Sequence, residues 1–192
     1  LFAYYLDDPA LVRTLYENIT RLMLRCLDYF PAVDGRPLAG AGIGNCSVTM
    51  LSPADYMRCD YEFDRRIMNY CREHGLAFGM HQDSNVTPHL DHYAKLEYTS
   101  GFSFGMDTDF ARLADLFPNA SVSCLWFPHW LRDHSPAEIA DEVRRLLEAG
   151  RRFPVFNFSV QDVDPFMDDE KLRGFYQIVQ EEARKIRVRL PL

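Results

Sequence analysis

The sequence predicts an α/β protein built on parallel strands. Three observations carry this. First, five short apolar or β-rich runs recur along the 192 residues: Ala41–Leu51 (AGIGNCSVTML), Leu76–Met80 (LAFGM), Phe102–Met106 (FSFGM), Ser121–Phe127 (SVSCLWF) and Phe153–Phe158 (FPVFNF). Second, helical patterns with their own start and stop signals separate them. Third, the runs are nearly continuous in hydrophobicity rather than alternating, the pattern of strands covered on both faces, as in parallel sheets. Strand–helix alternation of this kind builds right-handed βαβ units. A strand-to-strand spacing of about 20 to 35 residues suits a (β/α) barrel or a doubly wound sheet.

Taken in order, the first helix is expected over Pro9–Tyr29 and the first strand over Ala41–Leu51. Ser52-Pro53-Ala54-Asp55 then opens a helix, with a hydroxyl at the N-cap, proline at the first helical position and a carboxylate at the third. Gly75 ends that helix as a left-handed cap, and the strand Leu76–Met80 follows at once. Thr87-Pro88 is a shorter start signal. After the strand Phe102–Met106, Asp109 caps FARLADLF. After Ser121–Phe127, Ser135-Pro136-Ala137-Glu138 repeats the capping device. Its helix puts Ile139, Val143, Leu146 and Leu147 on one face and stops at Gly150. The strand Phe153–Phe158 and a helix over Asp168–Ile186 complete the series.

Length fits one domain spanning residues 1–192, and 47% hydrophobic content supplies a core. The chain begins at Leu1 rather than Met and is expected to be a piece of a longer one. No run approaches the ~18 apolar residues of a membrane helix. A net charge of −7 disfavours a nucleic-acid partner. The basic tail with Arg184, Lys185, Arg187 and Arg189 reads as a solvated helix end and a short terminal segment. Five cysteines, an odd number without a C-x-x-C pair, point to reduced thiols and a cytoplasmic location. Cys26, Cys59 and Cys71 fall in helical patterns as packing residues. No G-x-G-x-x-G or Walker A pattern occurs, so nucleotide binding has no support.

In parallel α/β folds ligands bind beyond the carboxyl ends of the strands, and each strand here ends in polar candidates. The first carries Asn45 and Cys46. The second ends in His81, Gln82 and Asp83. The third ends in Asp107 and Asp109, the fourth in Trp126 with His129 after it, and the fifth in Asn157, Ser159, Gln161 and Asp162. Phe78-Gly79-Met80-His81 and Phe104-Gly105-Met106-Asp107 read as one piece of architecture with two different polar tips. His81 and Asp83, two apart on an extended segment, point the same way. They are a pair of zinc ligands, an acid/base pair, or a hydrogen-bonding pair that orients a substrate. Asp107 is a third catalytic candidate, and Asn45, Asn157, Gln161, Trp126 and His129 are candidate substrate contacts. His89 and His92 read as surface residues, His74 as a partner of a helix C-terminus, and His134 as loop.

The order DDPALVRTLYENIT, LSPADYMRCDYEFDRRIMNYCREHGLAFGMHQDSN, GMDTDFARLADLFP, PHWLRDHSPAEIADEVRRLLEAG, FNFSVQDVDPFMDDEKLRGFYQIV resembles the uroporphyrinogen decarboxylase superfamily. That superfamily includes corrinoid-linked methyltransferases and is similar to cobalamin-independent methionine synthase. The resemblance runs through nearly the whole chain. It implies the C-terminal portion of a (β/α)8 TIM-type barrel, whose edges are completed by the rest of the barrel or by a second copy in a homodimer. It places His81-Gln82-Asp83 where the methyltransferases carry a zinc-binding H-x-C, with Asp83 in place of the cysteine and Gln161 near a later cysteine ligand. The implied activity is transfer of a methyl group from a small methylated substrate to a corrinoid on a partner protein, with zinc held by His81 and Asp83. Two alternatives follow from the same resemblance. One is a decarboxylase acting on a poly-carboxylated tetrapyrrole, which requires arginine partners such as Arg132. The other is a non-catalytic binding member of the fold.

Overall fold

The computed structural model describes residues 2–163 and 167–186; Arg187 and Arg189 of the basic tail lie outside them. The order is α1 (Phe2–Asp7), α2 (Pro9–Asp34), β1 (Gly40–Gly44), a 3-10 turn (Cys46–Met50), α3 (Pro53–Cys59), α4 (Tyr61–Glu73), β2 (Ala77–Gln82), a second 3-10 turn (Thr87–His89) and α5 (Leu90–Tyr93). Then come β3 (Thr99–Gly105), α6 (Phe110–Leu116), β4 (Ser121–Trp126), α7 (Pro128–Asp133), α8 (Pro136–Gly150), β5 (Val155–Val160) and α9 (Asp169–Lys185). The fold is α/β. Its five parallel strands form one sheet in the order β1-β2-β3-β4-β5. Among the described residues no helix is long and apolar enough to cross a membrane.

The chain divides into two compact units, Leu1–His81 with Asp91–Gly101 and Gln82–Leu90 with Phe102–Leu192. In the first, α2 packs on α3 and α4, and α4 packs on β1. Tyr56, Cys59, Phe63, Ile67 and Cys71 recur at helical spacing and are all buried. β1 and β2 pair with Gly40 opposite Ala77, Gly42 opposite Gly79 and Gly44 opposite His81. In the second unit β4 pairs with β5, and α8 packs on both α6 and α9. Val143, Leu146 and Leu147 of α8 and Phe175, Val179 and Ala183 of α9 are buried.

Several boundaries differ from the sequence reading. The first strand stops at Gly44, and Cys46 belongs to the 3-10 turn that follows. α2 runs through Pro31 to Asp34, and Gly35, in the left-handed region at φ 68°, donates its N–H to the Pro31 carbonyl. The helix expected between Ser52 and Gly75 is two, kinked at Asp60, which keeps a right-handed helical backbone and still donates to the Tyr56 carbonyl. The expected N-caps of α3, α6 and α8 are present, but Gly150, expected as a left-handed cap, is the last residue of α8, and Arg151 closes the helix with a right-handed backbone. Ser135 and Glu138 form a reciprocal capping box, and Asp109 accepts from the Arg112 N–H. His74 Nδ1 donates to the Tyr70 carbonyl at 2.8 Å. His89 is a correction: it is buried at 1% exposure, because the 3-10 turn around Thr87-Pro88 carries it inward.

The covering of the strands is a second correction. Phe78, Met80 and Gln82 of β2 are buried, while Ala77, Gly79 and His81 between them are more open. Val122, Cys124 and Trp126 of β4 share a buried side with Phe156 and Phe158 of β5. The opposite side of this pair carries Ser123 facing Asn157 and Leu125 facing Ser159. One face thus holds the large side chains, and the other is mostly small or polar. Alternation was hidden in the sequence because Gly, Ala and Ser interrupt a hydrophobic run too weakly to register as a polar face.

Candidate metal centre

β1 ends at Gly44, and Asn45 leads into the 3-10 turn that carries Cys46, half-buried. Gly44 faces His81 across the strand pair, and a Cβ built at Gly44 would lie 3.7 Å from the imidazole Cδ2. The ring therefore lies beside the end of β1. Asp83 follows two residues later and projects to the same side. The thiol of Cys46, the imidazole of His81 and the carboxylate of Asp83 each offer one atom within 4.8 Å of the other two, and all three residues are half-buried.

Thiolate, imidazole and carboxylate are all donors that zinc accepts. Bonds of about 2.0–2.3 Å in a tetrahedron set neighbouring ligand atoms about 3.5 Å apart, so closing this cluster on an ion takes about an ångström of side-chain adjustment. Three protein donors leave a fourth position, which separates catalytic from structural zinc sites. The residues thus fit the metal that the family resemblance implies. Asp83 also accepts a hydrogen bond from the side-chain amide Nε2 of Gln161, just after β5. Such an outer partner fixes the orientation of a ligating carboxylate.

The other candidates are placed as follows. Asn157 lies half-buried on the open side of β5, opposite Ser123. Asn45 is half-buried and opens the 3-10 turn. Asp107 is exposed in the turn after β3 and is not part of the cluster. His129 is exposed on α7, its ring stacked on Phe127 at 5.6 Å. Trp126 is fully buried on the large-side-chain face, among Trp130, Phe158 and Phe175. It is a core residue of the second unit, because strand alternation turns it away from the side that carries Asn157. Arg132, the cation closest to this group in sequence, pairs with Asp133 and is exposed.

Gly105 and Gly79, matched in the two repeated tetrapeptides, do different work. A Cβ at Gly79 would meet only the Gly101 carbonyl at 3.6 Å. At Gly105 it would sit 2.9 Å from the backbone C and Cα of Ser84 and from the Phe127 ring. Backbone cannot yield as a side-chain tip does. Gly105→Ala is expected to cost about 1–3 kcal/mol of stability by urea unfolding, whereas Gly79→Ala is expected to cost less than about 1 kcal/mol.

The first unit also holds a buried acidic network that the sequence reading missed. The Tyr5 hydroxyl donates to both oxygens of Asp60 at 2.9 and 3.1 Å and lies 2.8 Å from the Tyr16 hydroxyl. The Tyr56 hydroxyl donates to Asp64 at 2.9 Å. Burial pushes Asp60 up to about 6 and Asp64 up to about 7, and the tyrosine hydroxyls hold both back from rising further. The signal was present: Asp60 and Asp64 fall on the same helical stripe as Tyr56, Phe63 and Ile67.

No family model matches the chain, and no curated protein matches it.

Proposed function

We propose that the chain carries the active site of a metal-assisted methyltransferase of the kind found in the corrinoid-linked branch of the uroporphyrinogen decarboxylase superfamily. A single observation carries this reading: a third donor, the Cys46 thiol, lies beside His81 and Asp83. Cys46, His81 and Asp83 would hold a zinc ion, and bound zinc acts as a Lewis acid toward the oxygen, nitrogen or sulfur that bears the methyl group. The acceptor would be a corrinoid on a separate protein. Cys46 and Asp83 balance the charge of the ion, Gln161 fixes the Asp83 carboxylate, and Asn157 offers an amide to the small methylated substrate. A parallel sheet with these groups following its strands supports the placement, because ligands gather at the carboxyl ends in such folds. The decarboxylase alternative needs cations for substrate carboxylates, and Arg132 is already engaged with Asp133.

The test is zinc content by elemental analysis after metal-replete purification. Close to one zinc per chain is expected. His81→Ala and Cys46→Ser are each expected to weaken binding by at least about tenfold, since even outer partners of a ligand are worth that much. No zinc on the unaltered protein would sink the proposal. Zinc retained in full by Cys46→Ser would remove the observation it rests on.

A further inference from the structure

The outer face of α2 is apolar along nearly its whole length. Leu15, Ile19, Leu22, Cys26, Tyr29 and Val33 follow one another at alternating steps of four and three residues. This is the spacing of a coiled-coil seam. The seam spans about 27 Å at 1.5 Å per residue. Leu22, Tyr29 and Val33 are 62%, 61% and 65% exposed, and Leu11 and Phe30 widen the stripe with 47% and 55%. The same helix meets its own unit through another face, where Val12 and Thr20 are buried. Two of its acids are drawn to that side as well: Glu17 binds Arg66 and Asp28 accepts from Tyr70, both on α4.

We propose that this face pairs with the same face of a second copy of the chain, the two α2 helices running antiparallel about a two-fold axis at Leu22. In that register Leu15, Leu22 and Tyr29, spaced by seven, face the same set on the second copy. Leu22 meets its own counterpart, Leu15 falls opposite Tyr29, and Leu11 falls opposite Val33. Ile19 and Cys26 fall opposite Arg25 and Asn18 of the second copy, and Arg25, the one charge within the stripe, meets no like charge there. The area is also sufficient. Burying the exposed part of a large apolar side chain removes on the order of 100 Å² from water. The seven such side chains Leu11, Leu15, Ile19, Leu22, Tyr29, Phe30 and Val33 offer on the order of 700 Å² per copy, close to the share each partner gives to a standard interface. A stripe of this size exceeds what monomers commonly leave in water. The pairing is independent of the metal-centre reading.

Sedimentation equilibrium of the full chain at micromolar concentration tests the proposal. The expected mass is that of two chains, and Leu22→Glu is expected to return it to one without altering the circular dichroism spectrum, because Leu22 is surface-exposed on its own chain. In a Cys26→Ser background, Leu22→Cys is expected to form a disulfide with its own counterpart on oxidation. Leu15→Cys is expected to cross-link only when mixed with Tyr29→Cys. A single-chain mass for the unaltered protein would overturn the pairing. So would a dimer that persists in Leu22→Glu, or one in which Leu22→Cys does not cross-link. If a longer parent chain is monomeric and shields Leu22→Cys from alkylation, the face is an internal one and the proposal fails.

Discussion

Trp126→Ala is expected to remove about 4 kcal/mol of unfolding free energy, the upper range for deleting a large aromatic from a core. The side chain is fully buried, with the Phe175 ring centroid at 4.8 Å, Trp130 at 5.8 Å and Phe158 at 6.1 Å. Deletion strips the second unit of the residue that joins β4, β5, α7 and α9. Aromatic contacts of this geometry add about 0.5–1.5 kcal/mol each beyond area alone. Trp126→Phe is expected to behave differently. The indole Nε1 is buried with no hydrogen-bond partner among the described residues. An unsatisfied buried donor costs about 1–3 kcal/mol, so removing it offsets much of the lost volume. The phenylalanine variant is expected within about 1 kcal/mol of the unaltered chain. Urea unfolding of both variants checks the pair. Equal losses from Ala and Phe would show that the N–H, not the packing, carries the effect.

Asp64→Asn is expected to stabilise the protein by on the order of 4 kcal/mol at pH 8 and to change little at pH 4. In the folded chain Asp64 titrates near 7, against an ordinary value of 3.8. Between those two values the folded state holds a proton that the unfolded chain has released. Stability therefore falls as pH rises through this window, at about 1.4 kcal/mol for each unit of difference. Asp60, raised to about 6, acts in the same direction over a narrower range. Asparagine keeps an oxygen for the Tyr56 hydroxyl and carries no charge to bury. The check is thermal unfolding of both proteins at pH 4 and pH 8. A variant less stable than the parent at pH 8 would mean that the ionised carboxylate is better solvated than its burial implies.

The sequence carried the fold well where a single residue type dictates local geometry. Ser135 with Glu138, Asp109, and Pro53 behind Ser52 each announced a helix start, and each stands where expected. It carried less where the outcome depends on what a strand faces. Trp126 and Asn157 both end or line strands, yet one belongs to the aromatic core and the other to the open side. Only register separates them, and register is not written in a nearly continuous hydrophobic run. His81 and Asp83 were legible because two residues on one extended segment must share a side. Cys46 was harder to connect with them. Its approach depends on the strand ending at Gly44 and the chain turning there, a feature with no strong composition signal.

The five thiols have a further consequence for how opening of this protein can be followed in time. All are reduced, but they are not equivalent. Cys59 and Cys71 are buried in the first unit, and burial raises both thiols above their ordinary value. Cys124 is buried in the second unit and raised well above it. A thiol reacts as the thiolate, so each of these three is slow to label until its surroundings open. The chain therefore carries a clock in each half. The rate at which an alkylating reagent takes Cys71 dates the opening of one unit, and the rate at Cys124 dates the other. Matching rates would mark a single cooperative event, and separate rates would mark two foldons.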